Sequence, residues 1–140
     1  MALIGEESGL ADREVTSPFG MVTELEIGHF DLLEDPVIID GIPVAALDDL
    51  AGNKACALIN RRQAKDYADA AALITTRRYS PGSLLALARQ RDPGLDPRDV
   101  TAVGTRLDAL HDSRLIPFLP EGRDAAWLRD ALATWPRPAR

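Results

Sequence analysis

The chain has 140 residues, 46% apolar and 27% charged, enough for one compact soluble domain with an aliphatic core and unlike a disordered segment. A formal net charge of -6 excludes wholesale coating of nucleic acid and leaves room only for a local basic patch. There is no apolar run of about 18 residues and no basic-then-apolar leader, and the single cysteine, Cys56, has no partner for an internal disulfide. A reducing, cytoplasmic setting without membrane contact is the expectation.

Residues 1–19 mix Gly, Glu, Ser and Asp without period and read as an irregular segment. From Gly20 the pattern changes. Met21, Thr23, Leu25 and Ile27 alternate with Val22, Glu24, Glu26 and Gly28, the period of a half-buried strand, with Glu24 and Glu26 on one face. Residues 36–39 form a β-branched run, Asp40-Gly41 offers the positive-φ chemistry of a tight hairpin, and residues 42–44 return. Beyond Val44 the long segments read as helices near residues 47–60, 62–75, 81–91, 97–111 and 122–134. Two of their starts are specific: Ser80-Pro81 and Asp96-Pro97 each pair an N-cap with proline at the first helical position. The stretch Trp135 to Arg140, with two prolines and two arginines, is expected to leave the last helix and stay solvated, residues 136–140 being the tail beyond the domain. The sum is an α+β chain, about three short strands followed by a five-helix region, folded as one domain over residues 20–135.

Several positions invite chemistry. Leu47, Leu50, Lys54 and Leu58 share one row of the first helix, so a lysine sits within an apolar stripe. Its stem can pack while the ammonium reaches water, or it can serve as a phosphate-binding cation. On the next helix Arg62, Asp66, Asp69 and Leu73 fall on one side with Lys65 one step round, which fits a solvated ion-pair face as well as a site. Glu24 and Glu26 can supply a carboxylate to Mg²⁺ or lie on a surface. Asp12-Arg-Glu14 is set aside as a metal motif because the segment before it shows neither a strand nor a Gly-Ser turn to cradle a triphosphate. His29 and His111 lack zinc spacing and a nucleophile partner, and Cys56, between Ala55 and Ala57, reads as a small buried hydrophobe.

The run Leu47-Asp-Asp-Leu-Ala-Gly-Asn-Lys-Ala-Cys-Ala-Leu58, followed by Arg61-Arg-Gln-Ala-Lys-Asp-Tyr-Ala-Asp69, resembles the nucleotidyl transferase AbiEii/AbiGii toxin family of type IV toxin-antitoxin (abortive infection) systems. The family frame is DL-x-x-x-K-x-x-A and then R-x-x-K/R-D-x-x-D. The likeness continues through Gly82-Ser-Leu-Leu-Ala-Leu-Ala-Arg-Gln-Arg-Asp-Pro-Gly-Leu-Asp-Pro97, similar to a helix and turn of actinobacterial members. Thr23-Glu-Leu-Glu-Ile27 is similar to the strand that carries the third carboxylate of a polymerase-β-like site, which lands on Glu26 where members usually have aspartate.

The resemblance implies transfer of a nucleotidyl group from an NTP to an acceptor such as tRNA, with Mg²⁺ on Glu26 as cofactor. Lys54 and Asp66 would be catalytic; Lys54, Arg61, Arg62, Lys65 and Asp69 would contact nucleotide or substrate. It also implies a Gly-Ser turn and Asp-x-Asp pair well before Glu26, so the expectation is the C-terminal portion of such a domain, a remnant of its sheet. Implied partners are a cognate antitoxin, a separate N-terminal chain, or a second copy pairing through an exposed strand edge at residues 21–27. The competing expectation is a non-catalytic helical binding module that keeps the same scaffold.

Overall fold

The computed structural model describes residues 32–139 and, as backbone alone, the segments Ala11–Thr16 and Val22–Ile27. The chain is α+β and divides into two compact units, residues 1–49 and 50–140.

In the first unit β1 (Ala11–Thr16) pairs antiparallel with β2 (Val22–Ile27). The expected irregular segment is therefore partly wrong: residues 11–16 form a strand. Three consecutive charged residues, Asp12-Arg-Glu14, precede Val15 and Thr16, so no period-2 apolar pattern marks this strand in the sequence. The register sets Asp12 opposite Glu26 and Glu14 opposite Glu24, and the segment before Asp12, on which the motif was set aside, lies outside the described residues. The partner β1 also occupies one edge of β2. Residues 1–10, 17–21 and 28–31, with Met21 and His29, lie outside the described residues.

A second hairpin follows, β3 (Val37–Ile39) against β4 (Ile42–Val44). Asp40 at φ 50° and Gly41 at φ 76° make the turn, as their dipeptide requires. Among the described residues the strands number four, in two separate ribbons, rather than about three. Just beyond, the buried Asp49 carboxylate, in the first turn of the following helix, accepts the backbone N–H groups of Leu33 and Glu34, each at 3.0 Å. That fixes the segment leading into the hairpin.

Among the described residues the helices are six: α1 (Leu47–Arg61), α2 (Ala64–Thr75), α3 (Pro81–Arg91), α4 (Pro97–Ala109), α5 (Asp112–Leu115) and α6 (Ala125–Ala131). Arg62 at φ 54° ends α1, with its N–H on the Leu58 carbonyl at 3.1 Å, and an extended Gln63 starts α2, so the second helix begins after 62. Ser80 and Asp96 cap α3 and α4 as their sequences predict, accepting Ser83 N–H at 3.1 Å and Arg98 N–H at 2.8 Å. The fourth predicted helix stops early. Leu110 turns extended, and His111 Nδ1 accepts Ser113 N–H at 3.2 Å to open α5, whose end continues into a 3₁₀ turn at Ile116–Phe118. The last helix starts at 125 because Asp124 caps it, accepting Trp127 N–H at 2.9 Å, while Gly122 is left-handed.

The helical core is built from Leu58, Ile59, Leu84, Val103, Leu107, Leu115, Leu128 and Leu132, all fully or almost fully buried, with alanines allowing close packing. Two hydroxyl or indole donors reach the α4 backbone: Tyr67 to the Val103 carbonyl at 2.7 Å and Trp135 Nε1 to the Val100 carbonyl at 2.8 Å. The tail expectation fails here. Trp135 is buried, and Arg137 forks onto Asp108 at 2.8 and 2.9 Å, with a further bond to the Trp135 carbonyl. Gly104 makes room for this, since a Cβ there would lie 2.7 Å from Arg137 Cγ and 2.9 Å from the Pro136 carbonyl oxygen. No helix among the described residues is long and apolar enough to cross a membrane.

Candidate functional site

Lys54 projects from the middle of α1, flanked along its row by half-buried Leu50 and buried Leu58. Its ammonium crosses to α2 and donates to Asp69 Oδ2 at 3.0 Å. The two side chains are 34% and 37% exposed, so the pair is neither sealed in the core nor free in solvent. It stands at an open hollow of about 290 Å³ lined otherwise by Leu50, Ala72, Leu73 and Thr76. An apolar floor with one charged pair at its wall favours a ligand that brings a matching charge. An anion arriving here meets Lys54, and the carboxylate it displaces becomes available to accept a proton.

Asp66, three positions before Asp69, faces elsewhere. It is 1% exposed; Oδ1 accepts Arg61 Nη2 at 2.7 Å and Oδ2 accepts the Gln63 backbone N–H at 3.1 Å. Those bonds hold the first turn of α2 and occupy both oxygens. Arg61 remains half-exposed beside it, and Lys65 is exposed. Arg62 turns the other way, donating to the Ile59 carbonyl at 2.6 Å and approaching Asp99 of α4 at 3.6 Å. The six residues singled out from this part of the sequence thus form separate groups: Lys54 with Asp69, Arg61 with Asp66, Arg62 toward α4, and Lys65 in solvent.

Glu26 belongs to the other unit and is placed only by its strand register. Mg²⁺ asks for one or two carboxylates plus phosphate oxygens. Among the described residues no group of three Asp, Glu, His or Cys could hold a metal, and Asp69 is already neutralised by Lys54. The described side chains do not amount to a metal set. Cys56 donates its thiol to the Ala88 carbonyl at 3.5 Å, and burial pushes its pKa up, so the thiolate is disfavoured.

Sequence reading missed a second hollow, of about 490 Å³, where Arg106, His111 and Arg114 meet Gln63 and Phe118. Its residues span the α4–α5 break, so no single helical period aligns them. The extra turn capped by His111 is what brings them together.

Comparison with protein-family models, with curated proteins and with solved structures finds no match to this chain.

Proposed function

We propose that the chain is a nucleotidyltransferase-type toxin component, related to the C-terminal portion of a polymerase-β-like domain, and that Lys54 and Asp69 form its working pair. What supports the reading is one observation: a lysine embedded in an apolar row meets an aspartate of the next helix at 3.0 Å, at the wall of an open hollow. Such a lysine suits the phosphates of an NTP, since nucleotidyl transfer depends mostly on positioning and charge neutralisation. In the reaction an acceptor hydroxyl oxygen, as on a tRNA, bonds to the α-phosphorus while the bond to pyrophosphate breaks. Asp69, released from Lys54, takes the hydroxyl proton.

In this reading Asp66 is a positioning residue that orders α2 and holds Arg61. Arg61 and Lys65, both solvent-facing, can meet substrate phosphates. Mg²⁺ on Glu26 rests on the family resemblance alone. A second reading, a non-catalytic module for an antitoxin or other partner, draws on the buried and fully engaged Asp66, which a scaffold needs and a reacting group does not.

The test incubates the chain with Mg²⁺, radiolabelled NTPs and total tRNA, in parallel with Lys54→Ala and Asp69→Ala. The expected outcome is label transfer that falls at least tenfold in both variants while their helical circular dichroism is kept. Transfer indifferent to both changes removes the site. No transfer and no calorimetric NTP binding by the unaltered chain favours the binding module.

A further inference from the structure

We propose that the groove running along α4 into α5 binds the sugar-phosphate backbone of a single-stranded nucleic acid, with Arg106 and Arg114 taking phosphates and Phe118 offering a face for a base. The hollow of about 490 Å³ carries Arg106, His111 and Arg114 on its walls and no acidic residue. It adjoins, through Arg106 and Ala109, a second hollow of about 530 Å³ that adds Arg62 and Arg98 and again no acid. Arg62 and Arg98 are paired with Asp99 and Asp96, so the unneutralised cations of this path are Arg106 and Arg114, and two phosphates of one strand are what they can take.

The local charge balance is what singles these residues out of a chain of net charge -6. The acids of this face are already committed: Asp96 to Arg98 at 3.5 Å, Asp99 to Arg62 at 3.6 Å, Asp108 to Arg137 at 2.8 Å and Asp112 to Arg129 at 2.9 Å. Arg106 and Arg114 have no ion pair or side-chain hydrogen bond among the described residues, and both are exposed. Two unneutralised guanidinium forks at the walls of one hollow are poised for bidentate contacts to phosphate. His111 lines the same wall, its ring held in place by Ser113, whose backbone N–H and Oγ lie 3.2 and 2.9 Å from Nδ1. Phe118 is 49% exposed beside them, an aromatic face open to stacking. The hollow that continues past Arg106 toward Arg98 is lined by the small residues Thr101, Ala102, Thr105 and Ala109, so a backbone can lie close to the helix there.

This inference needs neither NTP nor metal and stands apart from the Lys54 pair. It is tested by fluorescence anisotropy of the full chain with a labelled mixed-sequence single-stranded RNA of about 12 nucleotides, in chelator, across a salt series. The expected result is binding that weakens at least tenfold in Arg106→Ala/Arg114→Ala, with the log–log salt slope reduced by about 1.4, two phosphates at about 0.7 each. Phe118→Ala is expected to weaken binding severalfold with the slope unchanged. Arg78→Ala/Arg89→Ala, which changes the net charge equally at exposed positions of other elements, is the control and is expected to match the unaltered chain. Should the double variant fail to fold, Arg106→Gln alone carries the same test at a smaller reduction. Equal losses in the control and the groove variant overturn the proposal, as does no binding by the unaltered chain. Duplex RNA bound as tightly as the single strand, with Phe118→Ala silent, overturns it in favour of a general polyanion surface. Failure here with Lys54-dependent label transfer intact removes only this inference; the converse removes only the nucleotidyl reading.

Discussion

Asp66 and Asp69 stand on the same helix, three residues apart, in opposite surroundings. Asp66 is sealed and uses both oxygens on the turn that starts α2, whereas Asp69 is 37% exposed and holds a lysine that is itself one-third exposed. Replacing a buried helix-start carboxylate leaves the Gln63 N–H without its partner, so Asp66→Ala is expected to cost about 1–3 kcal/mol in urea unfolding. Lys54→Ala and Asp69→Ala are each expected to stay within about 1 kcal/mol, because a partly solvated pair contributes little net. Equal destabilisation by all three would show that the Lys54 pair is a structural clamp. From sequence the stripe Arg62, Asp66, Asp69 looked like one face. It came apart because Arg62 is left-handed and outside the helix, a backbone state that spacing does not reveal.

At the scale of elements, the proline-capped starts of α3 and α4 and the Asp40-Gly41 hairpin were legible because each depends on two or three adjacent residues. What failed to show were elements that depend on distant partners. Strand β1 becomes a strand by pairing with β2, and α5 exists because a histidine, an uncommon cap, starts it. The Lys54 row and Asp69 were both visible in the sequence, but that the two meet across the helix pair was not, because spacing along a chain does not show which helix faces which. The arginine groove was invisible for the same reason, since a helix break aligns its walls. The C-terminal segment is the sharpest case: proline and arginine suggested a tail, yet Trp135 fills the core. Trp135→Ala is expected to cost about 3–5 kcal/mol, and Trp135→Phe, which keeps most of the ring contact but loses the bond to Val100, about 1–2 kcal/mol. Chemical denaturation followed by far-ultraviolet circular dichroism separates the two. A tail that is merely solvated would leave both variants at the parental midpoint.

For the whole helical unit, stability against pH follows its buried titratable groups. Burial is the main cause that raises the Tyr67 pKa from 10.0 to about 12, with Arg106 and Arg62 pulling the other way. The folded state therefore keeps the phenol proton longer than the unfolded chain. Its contribution is intact below pH 10 and is lost as the pH climbs toward about 12, after which it levels off. Unfolding free energies measured from neutral pH to the alkaline limit are expected to fall over that window, and Tyr67→Phe is expected to remove part of the fall. An identical alkaline profile in the variant would place the sensitivity elsewhere.

The side-chain bonds from Tyr67 and Trp135 to α4 bridge 36 and 35 positions of sequence, one from before the helix and one from after it. During synthesis, α4 therefore emerges with only its upstream neighbour to pack on. The apolar side that Trp135 will cover stays open until the ribosome has released that residue. Covering that side means gathering the loop between the helix and Trp135, which costs closure entropy. Both tryptophans of the chain, Trp127 and Trp135, lie in the covering segment, so intrinsic fluorescence reports directly on that closure.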